Sequence, residues 1–209
     1  MNQYHKIQTV FLRNPDDNYK TLLEGQFALP EFEYLQDNDW IFTEKVDGTN
    51  IRVIFDGSDI EFRGKTDNAQ IPEFLLKRLE DTFLPKKELF SESFPDGVCF
   101  YGEGYGARIQ KGGGNYISDG CDFVLFDIKI GEWWLQRTTL VDIADEFCVP
   151  YVPVVGIGTL WDMVNRVRNG FNSVWGDFPA EGLVAKPVVE LQARNRKRIV
   201  EKLKHKDFK

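Results

Sequence analysis

Apolar and polar positions along the chain fall into two repeats, one that suits strands and one that suits helices. Trp40-Ile41-Phe42-Thr43 is apolar and β-prone, and Ile51-Arg52-Val53-Ile54-Phe55 alternates around a single charge. Such runs predict strands near 40–46, 51–56, 59–64, 98–103, 122–129, 132–136, 152–157, 181–187 and 198–204, with Asp56-Gly57 closing a hairpin. Helices are expected from Pro72 to Phe83, where proline suits a first turn, from Thr138 to Phe147 and from Leu160 to Arg168. Strands dominate, helices fall between them, and no regular βαβ alternation emerges. That order predicts an α+β fold with antiparallel sheets.

Composition bounds the picture. With 209 residues, 42% of them hydrophobic, the chain is expected to bury one good core and a small accessory region rather than two full domains. No repeat, low-complexity tract or proline-rich linker divides it. The first residues lack the apolar run of a signal peptide, and no segment approaches the roughly 20 apolar residues that span a bilayer, so a cytoplasmic protein without a membrane partner is expected. Cys99, Cys121 and Cys148 lie far apart and never in a Cys-x-x-Cys pair, which points to small buried hydrophobes and away from zinc or disulfides. His5 and His205 are too few and too distant for a histidine-based centre.

Charge is uneven. The net value is −7, yet residues 194 to 209 hold eight Lys or Arg against two acids, a balance of +6 that leaves −13 for the rest. A basic strip on an acidic body attracts phosphates. In a strand, Lys202 and Lys204 share one face, whereas Lys206 and Lys209 read as a solvated tail.

Candidate chemistry centres on Glu44-Lys45-Val46-Asp47-Gly48-Thr49-Asn50, between the first two of these strands. Lys45 falls at a strand end. Asp47-Gly48 forms a turn whose backbone amides can approach a bound phosphate. Taken alone, the heptapeptide is equally compatible with an ordinary charged hairpin. Downstream come Arg63-Gly64-Lys65-Thr66, then Phe100-Tyr101-Gly102-Glu103-Gly104, Asp122 to Ile128, Glu181-Gly182-Leu183-Val184-Ala185-Lys186 and Lys202-Leu203-Lys204. An amine that attacks the α-phosphorus of a nucleotide must first lose its proton, and free lysine titrates near about 10.4. Nearby cations favour the neutral amine and also stabilise the charge of the leaving pyrophosphate. Magnesium takes one or two carboxylates, for which Glu103 and Glu181 are the expected pair. A dinucleotide fingerprint at Gly102 to Gly106 is rejected, because no long helix pattern opens after it.

The heptapeptide and the last four of these elements, in this order, resemble motifs I, III, IIIa, IV and V of the covalent nucleotidyltransferase superfamily of polynucleotide ligases and capping enzymes. Within it the chain is most similar to ATP-dependent RNA ligases, from the Glu-Lys-x-Asp-Gly-Thr-Asn form of motif I, the Gly-Glu-Gly of motif III and the Lys-His-Lys-Asp-Phe ending. The resemblance spans residues 40 to 208. It implies a nucleotidyltransferase (ATP-grasp-like) fold over residues 1–209 as a single domain, with antiparallel sheets flanking a nucleotide cleft. It also implies ATP and Mg2+ or Mn2+, a lysyl-AMP adduct on Lys45, and sealing of an RNA 5′-phosphate to a 3′-hydroxyl in RNA repair, with an accessory end-processing protein as a possible partner. Phe123 would stack on adenine and Glu44 would lie beside the purine. Arg63 and Glu103 would face the sugar and reaction centre, Asn50 would line the pocket, Glu103 and Glu181 would hold metal, and Lys202 and Lys204 would grip the α-phosphate. Arg108 to Asn115 reads as a flexible basic surface loop, either touching RNA or merely connecting. Only five residues follow motif V, so no C-terminal oligonucleotide-binding-fold domain is expected within the chain. The alternatives are a minimal ATP-dependent DNA ligase and a non-catalytic nucleotide- or RNA-binding module.

Overall fold

A computed structural model describes residues 3–209. In chain order the strands are β1 (Gln8–Thr9), β2 (Phe11–Arg13), β3 (Leu22–Phe27), β4 (Trp40–Glu44), β5 (Thr49–Phe55), β6 (Ile60–Arg63), β7 (Val98–Gly106), β8 (Cys121–Ile130), β9 (Trp133–Trp134), β10 (Val154–Gly158), β11 (Gly182–Pro187) and β12 (Glu201–Lys204). The helices are α1 (Pro30–Tyr34), α2 (Glu73–Phe83), α3 (Lys87–Ser93), α4 (Gly113–Tyr116), α5 (Arg137–Glu146) and α6 (Leu160–Asn169). They sort into two compact units. The first contains Asp47–Val152 together with residues up to His5, and the second contains Lys6–Val46 and Pro153–Lys209.

In the first unit, β5 to β9 form one antiparallel sheet in the order β6-β5-β7-β8-β9. One face is covered by helices, of which the apolar spacing of the sequence announces α2 and α5. Leu75, Leu79 and Phe83 of α2, Phe90 of α3, and Leu140 and Ala144 of α5 close over Ile51, Val53, Phe55, Phe100, Phe123, Leu125 and Ile128. Each large apolar side chain so enclosed contributes about 1.5–3 kcal/mol. Gly102 lies directly over Phe123. A Cβ at Gly102 would sit 2.1 Å from the Phe123 ring, so glycine here is a packing requirement.

In the second unit, the sheet order is β1-β12-β11-β4-β10, with β1 parallel to β12 and the other pairs antiparallel; β2 and β3 form a separate ribbon. Helix α6 packs on β11 and β12 through Leu160, Met163, Val164 and Val167. It starts sharply because Thr159 and Asp162 cap each other reciprocally. The core adds Val10, Phe11, Phe32, Trp40, Phe42, Leu183, Ala185, Ile199 and Leu203.

The three helices expected from sequence appear within a residue or two of their predicted ends. Strands β1 to β3 and helices α1, α3 and α4 were not foreseen, since elements of two to seven residues carry too little periodicity to announce themselves. Nor is Arg108 to Asn115 a simple flexible loop. Gly113 starts a helical turn so tightly packed that a Cβ there would fall 1.9 Å from the Gly106 carbonyl oxygen. Among the described residues, no helix is long and apolar enough to cross a membrane.

Candidate active site

Two sets of residues carry the candidate chemistry, one in each unit. In the second unit, register decides the outcome. Leu183 pairs with Glu44 and with Leu203, while Val184 pairs with Thr43 and Lys202. Directly opposed residues share a face, so Glu44, Leu183 and Leu203 look into the core. Thr43, Val184, Lys186, Lys202 and Lys204 share the other face. Lys45 follows β4, its amide bonded to the Gly182 carbonyl at 2.9 Å. Its Nζ donates to Glu181 Oε2 at 2.6 Å, and Lys204 Nζ pairs with Glu181 Oε1. One carboxylate thus bridges two ammoniums. Burial pushes the Glu181 carboxyl up, but the charges and hydrogen bonds of Lys45 and Lys204 outweigh it and hold the group below its ordinary 4.5.

Glu44 differs. It is 1% exposed; Oε2 accepts from the Val174 amide at 2.8 Å, while Oε1 has no hydrogen-bond partner. Burial pushes its carboxyl up, against hydrogen bonds from Ser173 and Val174 and the charge of Arg166. A buried oxygen without a donor is costly unless a ligand supplies one.

In the first unit, Asn50 pairs with Glu103 across β5 and β7, and Arg52 pairs with Arg63 across β5 and β6. These four occupy the sheet face opposite the core. Arg63 is half exposed and donates to Glu61 at 3.1 Å, while buried Arg52 reaches the Gly64 carbonyl at 2.9 Å and Asp67 at 2.7 Å. Asn50 Oδ1 is buried without a partner, a second orphaned acceptor. Phe123 is not brought to this face. Its ring is 1% exposed, enclosed under Gly102 and edge-on to Phe83 at 5.4 Å, leaving no open face for a base.

Three further residues join these sets. Lys186 lies on the same sheet face as Lys202, as its pairing with Ile41 requires. The other two hold the turn that follows Lys45: Tyr116 Oη accepts from the Asp47 amide at 3.2 Å, and Gln110 Nε2 donates to the Gly48 carbonyl at 3.1 Å. Tyr116 is braced edge-on by Tyr105 at 5.8 Å. Lys186 was visible in the alternation of β11, but the other two contacts span more than sixty residues and leave no local trace.

The model of the RNA ligase family matches residues 38–204, which covers all of these positions. The chain belongs to the RNA ligase family. No curated protein matches it. Among solved structures it is similar to Naegleria gruberi RNA ligase in several states. A variant with ATP and Mn gives a TM-score of 0.72 at 16% identity, covering 98% of this chain and 56% of that one. The same ligase with PPi gives 0.66 at 19%, covering 98% and 58%. A variant with AMP and Mn gives 0.67 at 18%, with the same two coverages. At such identities the likeness establishes the shared nucleotidyltransferase fold. The chain spans a little over half the length of those ligase chains.

Each unit by itself holds groups that suit a nucleotide's chemistry. In the second, Glu44 Oε1 lacks a donor of the kind a base amine brings, and the lysine-bearing sheet face suits polyphosphate; in the first, Asn50 Oδ1 lacks a donor of the kind a hydroxyl brings. Among the described residues, no three His, Cys, Asp or Glu gather as a metal cage. Glu181 meets two ammoniums, so a cation would have to displace one of them to bind it.

Proposed function

We propose that the chain is the nucleotidyltransferase part of an ATP-dependent RNA ligase. Lys45 Nζ attacks the α-phosphorus of ATP, forming a P–N bond as the bond to pyrophosphate breaks. The adenylate then passes to an RNA 5′-phosphate, and a 3′-hydroxyl attacks that phosphate, expelling AMP. The observation that carries this reading is the bridged triad, in which Glu181 fixes the Lys45 amine on one side and Lys204 on the other. Before attack the amine must leave Glu181 and lose its proton. Lys202, Lys204 and Lys186 offset the charge of the phosphates. Asn50, Arg63 and Glu103 act on sugar and reaction centre, and Glu44 presents its unpartnered Oε1 as an acceptor for the purine amine. A divalent ion, Mg2+ or Mn2+, would neutralise polyphosphate charge, with Glu103 and, once Lys45 has departed, Glu181 as its carboxylates. Phe123 has no stacking role in this scheme, because its ring belongs to the core.

Incubation with radiolabelled ATP and a divalent ion, followed by denaturing electrophoresis, tests the reading. A labelled band is expected, absent in Lys45→Ala and removable by acid. No adduct, or one retained in Lys45→Ala, overturns it. Sealing of nicked RNA in preference to nicked DNA is expected in a second assay.

A further inference from the structure

We propose that the turn at residues 190–198 is a preformed phosphate-binding contact for the RNA strand, separate from the lysine that carries the nucleotide. The basic strip that the sequence displays as one feature is divided by the fold. Lys202 and Lys204 lie on β12, and Arg198 turns inward. Arg194, Arg196 and Lys197 are left exposed together at the tip.

The tip is held from below. The Arg198 side chain, 1% exposed, forms a two-pronged pair with Glu190, Nε to Oε1 at 2.5 Å and Nη2 to Oε2 at 2.7 Å. Leu191 and Ile199, joined by a 3.0 Å backbone bond, anchor the two legs in the core of the second unit. The turn is closed by bonds from the Ala193 amide to the Lys197 carbonyl and from the Arg196 amide to the Ala193 carbonyl, both 2.8 Å, with Arg196 at φ 63°. Asn195 Oδ1 accepts from the Lys197 amide at 3.0 Å. None of the three tip cations enters an ion pair among the described residues.

A molecule of net charge −7 repels a polyanion on average, so binding must come from local clusters. Arginine forks match phosphate oxygens in pairs, and a turn fixed in advance loses little entropy on binding. An RNA backbone repeats phosphates along its length, which suits three cations on one turn better than a single nucleotide does. This inference rests on the RNA-ligase reading but makes no use of ATP.

The test is the variant Arg194→Ala/Arg196→Ala/Lys197→Ala, with Arg194→Lys/Arg196→Lys as the charge-preserving control. Lysyl-AMP formation from ATP is expected to stay within twofold of the unmodified protein. Affinity for a 5′-phosphorylated RNA oligonucleotide is expected to fall at least tenfold near 0.1 M salt. The slope of log K against log salt should shrink by about 2, at roughly 0.7–0.9 per phosphate contact, and the control should keep most of that slope. Unchanged RNA affinity and slope in the triple variant, with adenylation intact, overturns the proposal, including in favour of an acidic protein as the partner. Failure of the unmodified protein to form lysyl-AMP strikes the functional reading instead, while the RNA titration still judges the turn.

Discussion

Glu181 is the residue on which the proposed lysine chemistry turns, because a single carboxylate answers two ammoniums and cannot be replaced by a neutral group without freeing both. Glu181→Gln keeps the shape and removes the charge. We expect its adenylation rate to fall by on the order of 10²-fold, read as the initial rate of adduct formation. Because the folded protein holds this carboxyl below 4.5, the stabilisation it brings is present above that value and fades as pH drops beneath it. For Tyr116 a more modest effect is expected, that of a positioning residue. Tyr116→Phe removes the acceptor for the Asp47 amide but leaves the ring against Tyr105, so the melting temperature should stay close to that of the parent. Adenylation should slow about fivefold, in kcat more than in KM for ATP, on the scale of one hydrogen bond of about 1 kcal/mol. Equal effects on melting and rate would point to a purely structural tyrosine.

Among elements, β7 shows how a site strand and a core strand can be the same strand. Glu103 faces the polar side opposite Asn50, while the glycines on either side leave room for what lies beneath. Gly102→Ala drives a methyl into the Phe123 ring and is expected to destabilise by about 1–3 kcal/mol in urea unfolding. Adding Phe123→Leu should recover part of the loss, since the two positions share one volume. If Phe123 instead stacked on a base, the double variant would gain no stability over Gly102→Ala, and Phe123→Leu alone would weaken ATP binding without lowering stability. Helix α6 offers a cleaner element-level case: Thr159→Ala removes its cap and should cost about 1 kcal/mol.

At the scale of the whole molecule, Glu201 is the conspicuous liability. It is fully buried on the core face of β12, neither of its oxygens has a hydrogen-bond partner, and burial pushes its carboxyl well above 4.5. The sign follows directly. The folded state favours the protonated form, so stability is highest at or below the unfolded pKa of about 4.5 and declines as pH rises above it. Glu201→Met should raise stability at pH 7 by on the order of 1–3 kcal/mol and flatten the decline between pH 5 and 8, as read from urea midpoints across that range. A parent protein whose stability rises over the same interval would refute this account.

How much of this was legible follows from which forces are local. Hydrophobic periodicity fixed the long helices and the paired strands, because side-chain alternation and turn chemistry are set within a few residues. The order of the motifs carried the family, and it singled out Lys45, Glu181 and Lys204, which the fold brings into contact. The sequence could not show that the strands would sort into two cores, that Phe123 would face inward, or that Gln110 and Tyr116 would clasp the Asp47-Gly48 turn. Nor could it divide the basic strip into a lysine face, an inward arginine and an exposed tip. Each of those depends on register and on contacts between distant segments, and a shift of one residue along a strand would exchange every buried side chain for an exposed one.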